Sequence, residues 1–95
     1  MVVDIQGYEG LYTIDDKGNI YSIRKKLYIK PIVNHNGCYE LGLYGKDGYR
    51  TTKLLHTLVA KHFVRSNFRK VRFINGNTLD VNAKNLQPIG IWRKH

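Results

Sequence analysis

Residues 70–90, KVRFINGNTLDVNAKNLQPIG, contain two short strand-forming runs on either side of a loop rich in asparagine. The apolar and β-branched side chains of residues 71–74 and 86–89 favour extended structure. Asparagine suits the connecting loop because its side chain bonds to nearby backbone groups and tolerates left-handed conformations. The stretch therefore predicts a C-terminal β-hairpin whose two strands are joined by a long loop.

The residues before this hairpin follow a helical period. Side chains recur at i, i+3, i+4, i+7 and i+8, which is the spacing of one helix face. They are Leu55, Leu58, Val59, His62 and Phe63. The pattern ends at the polar residues 65–67, so we predict one short helix with His62 packed on its buried face.

The first half of the chain carries two hairpin patterns. Residues 11–22, LYTIDDKGNIYS, place two β-rich runs around a turn. Residues 38–55, CYELGLYGKDGYRTTKLL, repeat this arrangement around Lys-Asp-Gly. Residues 27–33 alternate loosely between apolar and polar side chains until the turn residues 34–37, NHNG, interrupt them. These patterns predict one small antiparallel sheet.

Together the elements predict an α+β fold with an N-terminal antiparallel sheet, one central helix and a C-terminal β-hairpin. We expect a single domain over residues 1–95, with a sheet region at 1–50 and a hairpin region at 51–95. Apolar runs are far shorter than the roughly 20 residues that a membrane helix needs. The N-terminus lacks the features of a signal peptide. Cys38 is the only cysteine, which indicates a reduced, buried thiol in an intracellular protein.

Charge is distributed unevenly along the chain. There are 16 Lys and Arg residues against 7 Asp and Glu, a formal net charge of +9. Residues 1–16 contain four acidic residues and no Lys or Arg. All 16 Lys and Arg residues lie in residues 17–95 with only three acidic residues, so this segment carries a formal +13. Such an excess favours a polyanionic partner because binding releases condensed counterions. A nucleic acid is therefore the expected partner, against the alternative of a merely soluble basic protein.

Two stretches carry a family resemblance. Residues 4–22, DIQGYEGLYTIDDKGNIYS, with Lys30-Pro31, resemble the NUMOD-type DNA-binding motif found beside phage and intron-encoded endonucleases. Residues 56–64, HTLVAKHFV, and residues 71–88, VRFINGNTLDVNAKNLQP, resemble the HNH endonucleases that follow this motif. The resemblance implies that the hairpin is a remnant of a ββα-metal fold, which in such proteins is clamped on the DNA backbone.

The catalytic positions of that family pattern are changed in this chain. The position of the general-base histidine falls on Phe73, and the metal-ligating position before it falls on Arg72. A following aspartate position falls on Asn75, the middle asparagine is retained as Asn85, and the last ligand position falls on Lys94. Phe73 cannot accept a proton from water. The resemblance therefore implies a degenerate site.

The same changes oppose a metal ion. At about 4 Å and an effective dielectric constant near 20, each positive charge repels a unit positive charge by about 4 kcal/mol. Arg72 and Lys94 would place two such charges where the dication should lie. Both are suited to holding a phosphate. We therefore expect no metal and no cofactor.

The histidines offer no clear replacement for the missing base. His35 belongs to a predicted turn between strands. His56 matches a family position at the start of the helix and has either a structural role or a phosphate contact. His62 is expected to be packed. His95, one residue beyond the last ligand position, keeps a rearranged catalytic site open as an alternative.

The expected function is binding of double-stranded DNA by a catalytically inactive relative of the HNH endonucleases, encoded by a phage and acting in the bacterial cytoplasm. Phosphate contacts would supply most of the affinity. The candidate contacts are Arg24, Lys25, Lys26, Lys30, His56, Arg65, Arg69, Lys70, Arg72, Lys84 and Lys94. The cluster at residues 24–30 has the alternative of a solvated strand edge that discourages aggregation. The loop residues Asn77, Asn82 and Asn85 are expected to be structural.

Two further functions stay open. One is an active endonuclease or nickase with a rearranged site. The other is a phage inhibitor that reuses the scaffold to bind a host or competing protein through its basic face. No membrane partner is expected.

Overall fold

The computed structural model describes residues 1–91. Within them the chain forms strands β1 (Val2–Asp4), β2 (Tyr12–Asp15), β3 (Ile20–Ser22), β4 (Leu27–Ile29), β5 (Ile32–Val33), β6 (Tyr39–Tyr44), β7 (Arg50–Leu54), the helix α1 (Leu55–Phe63), strand β8 (Lys70–Phe73), a 3-10 helix (Ala83–Asn85) and strand β9 (Leu86–Ile89). All strand pairs are antiparallel. The predicted α+β class, with antiparallel sheets and one α-helix, is confirmed.

The N-terminal half forms two sheets, so the prediction of one sheet is wrong. Strands β1 to β4 make a four-stranded sheet in sequence order, and β5, β6 and β7 make a three-stranded sheet. The break falls at Lys30-Pro31, between β4 and β5. Proline has no backbone N–H and cannot continue a ladder. Strand β8 also begins and ends one residue earlier than predicted.

The four-stranded sheet buries one face. Cross-strand pairing aligns Val3, Ile14, Ile20 and Ile29 in one row across β1 to β4. Ile14 and Ile20 are almost fully buried, and the two flanking residues are half-buried. Because side chains alternate along a strand, the neighbouring residues of each strand face the opposite side. That outward side is described further below.

One hydrophobic core joins the two halves of the described chain. It includes Ile5 just after β1, Leu43 from β6, Val59 from α1, and Val81 and Leu86 from the hairpin region. Helix α1 contacts β6 and β7 on one side and β8 and β9 on the other. The helix therefore positions the C-terminal hairpin against the N-terminal sheets.

Close contacts lock the hairpin loop onto the N-terminal turns. Gly18 has φ +93°, and a Cβ built on it would stand 2.5 Å from Val81 Cγ2. The backbone N–H of Ala83 donates to Asp16 O at 2.8 Å. Thr78 Oγ1 donates to Gly37 O at 2.6 Å. No side chain larger than hydrogen fits at position 18 without displacing Val81.

His62 is half-buried and forms hydrogen bonds with both ring nitrogens. The N–H of Gln6 donates to His62 Nε2 at 2.9 Å, and His62 Nδ1 lies 2.7 Å from Leu58 O. An accepting Nε2 requires the proton on Nδ1, so the imidazole is neutral and donates to Leu58 O. The side chain ties the loop after β1 to α1, which agrees with the predicted packing role.

The turn before β6 contains His35, as predicted. His35 is exposed between Asn34 and Gly37, whose N–H donates to Asn34 O at 3.0 Å. Cys38 is half-buried, less than predicted, because it lies at the start of β6 beside this solvated turn. None of the helices in residues 1–91 has the length and apolar character needed to cross a membrane.

Candidate functional site

The hairpin β8–β9 presents two different faces. Its register pairs Arg72 with Gln87 and Phe73 with Leu86. Lys70 and Arg72 are exposed, whereas Val71 and Phe73 are half-buried and pack against the core. The alternation follows from the two-residue period of a strand. Phe73, the predicted general-base position, therefore points inward, and Arg72 points to solvent.

Phe73 packs against His56 of helix α1. The two ring centroids lie 5.0 Å apart with an interplanar angle of 63°, an edge-on arrangement. Such a contact is favourable because the positive edge of one ring meets the negative face of the other. His56 is 9% exposed. Burial therefore favours the structural role of His56 over the predicted phosphate contact.

The imidazole of His56 has an unusual environment. Its Nδ1 is buried and has no hydrogen-bond partner among residues 1–91. Burial lowers the pKa of His56 below its ordinary value of 6.5, because the charged form loses its solvation. The ring is therefore neutral near neutral pH.

The loop after β8 is built around Asn85. Asn85 is 8% exposed, its Oδ1 accepts a hydrogen bond from the Asn75 N–H at 3.0 Å, and its Nδ2 donates to Asp80 O at 2.9 Å. Asn75 Nδ2 donates in turn to Asp80 Oδ2 at 3.0 Å. These hydrogen bonds join Asn75, Asp80 and Asn85 and close the loop. They support the structural role expected for Asn85.

The other asparagines of the loop also bond to the local backbone. Asn77 Oδ1 accepts from the Leu79 N–H at 3.0 Å, and Asn82 Oδ1 accepts from the Lys84 N–H at 3.0 Å, where it caps the 3-10 helix. Asn75 Oδ1 accepts from the Asn77 N–H at 2.8 Å. These contacts agree with the expectation that the asparagines hold the loop.

The hairpin does not fit the metal ion that the family resemblance implies. The oxygens of Asn75 and Asn85 that could ligate a cation already accept backbone hydrogen bonds. Residues 1–91 contain no group of three or more His, Cys, Asp or Glu side chains that could hold a metal. Arg72 adds a positive charge, and its Nη1 donates to Gln87 Oε1 at 3.1 Å. The predicted ligand position Lys94 lies outside the described residues.

A group of cations surrounds the open end of the hairpin. Arg65 follows α1 and donates through Nη2 to Gly90 O at 2.8 Å and through Nε to Asn67 O at 2.9 Å. A cavity of about 350 Å³ is lined by Arg69, Lys70, Ile89 and Gly90. The structure therefore brings Arg65, Arg69 and Lys70 together, with Arg72 exposed further along β8. We call these four residues the hairpin cations.

The other predicted cations lie on separate elements. Arg24, Lys25 and Lys26 form the exposed turn between β3 and β4, and Lys30 is exposed just after β4. Lys25 Nζ lies 5.9 Å from the ring centroid of Tyr44, a cation–π contact between the two N-terminal sheets. Lys84 is exposed on the 3-10 helix.

Sequence reasoning missed the cations of the β6–β7 hairpin. Lys46 and Arg50 are exposed, and Lys53 Nζ lies 6.0 Å from the Tyr8 ring centroid. A cavity of about 540 Å³ is lined by both lysines, Lys46 and Lys53, together with Tyr8 and Tyr49. The signal available was the polar and basic composition of β7, but which other segment lies beside this strand is decided by the fold.

The fold and the comparisons with known proteins define a relative of the phage-type HNH homing endonucleases. Residues 3–54 match the NUMOD4 motif, and the chain belongs to that family. The predicted family resemblance is confirmed.

Two curated relatives support this assignment. DNA endonuclease I-HmuI of Bacillus phage SP01 is 40% identical over 60 residues, covering 63% of this chain and 34% of that protein. The uncharacterised HNH endonuclease L247 of Acanthamoeba polyphaga mimivirus is 34% identical over 80 residues, covering 80% and 20%. The matched part of this chain therefore spans about a third of the length of the first relative and a fifth of the second.

A solved structure of the HNH homing endonuclease I-HmuI, which concerns DNA binding and cleavage by that protein, has the same architecture. The TM-score is 0.86 at 31% sequence identity, over 95% of this chain and 52% of that one. The similarity extends across both N-terminal sheets, α1 and the hairpin.

Proposed function

We propose that this chain binds double-stranded DNA without cutting it, as an inactive relative of the HNH homing endonucleases. The setting we propose is the cytoplasm of a bacterial host during phage infection. Support for a DNA partner comes from the family, from the DNA-cleaving relative and from the excess of positive charge after residue 16.

One observation carries the proposal that the site is inactive. The residue at the general-base position, Phe73, packs inward on His56, and neither ring is placed to activate a water molecule. General-base catalysis needs a proton acceptor within hydrogen-bond reach of the water. The His56 ring is itself buried, with its Nδ1 shielded from solvent.

The outward face of the hairpin supports the binding role. Lys70 and Arg72 point to solvent from one side of β8, and Arg65 and Arg69 stand at its open end. Arginine side chains hold phosphate oxygens through paired N–H groups. These hairpin cations are the proposed phosphate contacts, and the cluster at residues 24–30 is a second proposed group.

The test is a titration of a short DNA duplex at several salt concentrations, read by fluorescence anisotropy. Affinity should fall steeply between about 50 and 200 mM salt, with a log–log slope of several units if about five or more phosphates are neutralised. Replacing Arg69, Lys70 and Arg72 with Ala together should flatten the slope and weaken unrelated sequences alike. Supercoiled plasmid incubated with magnesium or manganese should stay intact.

The matched control removes the same charge elsewhere. Lys17, Lys46 and Lys61 are exposed and lie outside the proposed contacts. Their triple replacement with Ala should lower affinity less than the hairpin triple does. Absence of binding at low salt, or a flat salt response, would contradict DNA binding and favour a protein partner instead. Plasmid nicking by the wild type would contradict inactivity.

A further inference from the structure

The outward face of the four-stranded sheet carries a pair of tyrosines that the core does not use. Strand pairing aligns Asp4, Thr13, Tyr21 and Tyr28 in one row across β1 to β4. This row lies on the face opposite the buried isoleucines. The Tyr21 and Tyr28 ring centroids are 5.1 Å apart with an interplanar angle of 70°, and Tyr28 is 68% exposed. We call these two residues the tyrosine pair.

The tyrosine pair forms one wall of a hollow. The hollow has a volume of about 260 Å³. Its lining is Val2, Thr13, Asp15, Asn19, Tyr21 and Tyr28. The lining thus combines two aromatic rings with neutral polar groups, while the Asp15 carboxylate is already occupied by hydrogen bonds from the backbone of Lys17 and from Asn19. Such a surface suits a flat, neutral ring with polar atoms on its edge.

Charge divides this face into two ends. Asp4 lies at the β1 end of the row. Asp15 lies on β2, two residues after Thr13 and therefore on the same face. Lys26 and Lys30 are exposed on either side of β4, two residues before and two residues after Tyr28. A negatively charged backbone would therefore run along the β4 edge, where the lysines attract it, and away from β1, where the carboxylates repel it. This asymmetry fits a ligand with one charged side and one neutral aromatic side.

We propose that the tyrosine pair binds one unpaired base of a DNA strand, with Tyr28 stacked on the base and with the adjacent phosphates held by Lys26 and Lys30. Inside a duplex each base face is already covered by its neighbours, so an exposed tyrosine ring stacks on an unpaired base in preference to a paired one. Stacking on aromatic side chains is the usual way in which sheets hold single strands. The inference rests on the proposed DNA binding and names the feature of DNA that is recognised.

The test compares a blunt duplex with the same duplex carrying a single-stranded tail of about five nucleotides, with either 5′ or 3′ polarity. The wild type should bind one tailed duplex at least about 5-fold tighter than the blunt duplex at equal salt. Tyr28→Ala should remove this preference and leave blunt-duplex affinity unchanged, whereas Tyr28→Trp should keep it. Because Tyr28 is exposed on an edge strand, thermal melting should show that both variants fold.

A cross-linking arm locates the contact. The tail is made with 5-iodouracil, which on irradiation links to an aromatic ring stacked against it, and the linked peptide is identified by mass spectrometry. The link should fall on Tyr28 or Tyr21. Tyr49→Ala is the matched control, since Tyr49 is 76% exposed in the β6–β7 turn. It should change neither the tail preference nor the cross-link.

The outcomes separate this inference from the proposed function. Equal binding of tailed and blunt duplexes would overturn the tyrosine-pair site and leave duplex binding standing. A tail preference that survives Tyr28→Ala would overturn it as well. Binding of the isolated single strand without duplex binding, if lost in Tyr28→Ala, would support the site and contradict the duplex proposal. Failure to bind any of these DNAs at low salt would overturn both.

Discussion

The ring of Phe73 lies edge-on against the imidazole of His56, with their centroids 5.0 Å apart. This contact joins strand β8 to helix α1 inside the molecule. Phe73, which we predict at the general-base position of the family pattern, is therefore part of the packing between these two elements. In the loop after β8, the side chains of Asn75 and Asn85 form hydrogen bonds with Asp80, and Asn85 also accepts from the Asn75 N–H.

The first prediction concerns the missing base. Phe73→His should not restore cleavage of supercoiled plasmid in magnesium. A general base is worth roughly 100- to 10,000-fold in rate, but the side-chain oxygens of Asn75 and Asn85 already accept hydrogen bonds and Arg72 adds a positive charge on β8. Arg72→Asp with Lys94→Asn should also stay inactive while Phe73 is kept.

The combined replacement is the informative comparison. Only Phe73→His together with Arg72→Asp and Lys94→Asn, with or without Asn75→Asp, has the groups needed to nick plasmid. The protein bearing the three changes other than Phe73→His is the matched control. Nicking by Phe73→His alone would mean that the charge at the metal position does not limit the reaction.

The second prediction concerns metal ions. Magnesium, manganese or zinc at millimolar concentration should leave the melting temperature unchanged. An ion present at 100 times its dissociation constant would stabilise the folded state by about 2.7 kcal/mol, which a melting curve detects easily. A saturable rise in melting temperature with any of these ions would contradict our interpretation of the hairpin.

The third prediction concerns pH and His56. Because burial lowers the pKa of His56 below 6.5 in the folded state, the unfolded chain binds the proton first as the pH falls. The free energy of unfolding should therefore fall as the pH drops through 6.5, and the loss should level off below the folded-state pKa. His56→Phe should reduce this loss between about pH 7 and 5, measured by urea unfolding.

Two carboxylates with a lowered pKa act in a lower pH range than His56. Burial raises the pKa of Asp15, but hydrogen bonds from Asn19 and Lys17 outweigh it, so the pKa lies below its ordinary value. Backbone N–H groups lower the pKa of Glu9. Stability from these carboxylates is present above their ordinary values of 3.8 and 4.5 and is lost below them. His35→Asn, in an exposed turn, is the control. A pH profile of His56→Phe that matches the wild type would contradict the prediction.

The fourth prediction tests the contact between the N-terminal turn and the hairpin loop. Gly48→Ala should cost about 1–2 kcal/mol, because Gly48 has φ +84° and no neighbour near a Cβ. Gly18→Ala should cost about 1–3 kcal/mol more, since its Cβ would strike Val81. The excess should shrink when Val81 is Ala, as a double-mutant cycle measures. Equal costs for the two glycines would argue against this packing.

The fifth prediction concerns the loop asparagines. Asn85→Ala should lower the free energy of unfolding by about 2–3 kcal/mol, because the Asn75 N–H and Asp80 O lose their buried partner. Asn82→Ala removes a single cap contact and should cost about 1 kcal/mol. Chemical denaturation of both variants measures the difference. A larger cost for Asn82 would show that the loop depends on its cap and not on Asn85.

The sequence by itself determined the family, the α+β class, the helix and the C-terminal hairpin. The helix follows from a local apolar period, and the hairpin follows from strand-forming runs around an asparagine-rich loop. Such signals act between residues close in the chain, where spacing alone fixes which side chains share a face. The prediction that the family's general-base position falls on Phe73 also comes from the sequence alone.

The tertiary structure decided which side chains meet. Strand pairing divides the N-terminal half into two sheets at Pro31. The contacts of Phe73 with His56 and of Gly18 with Val81 join residues that are distant in the chain. The burial of His56 belongs here too, since a histidine at the start of a helix can face solvent or core. Packing decides between these because the cost of burying a polar ring depends on every neighbour around it, and those neighbours come from separate segments.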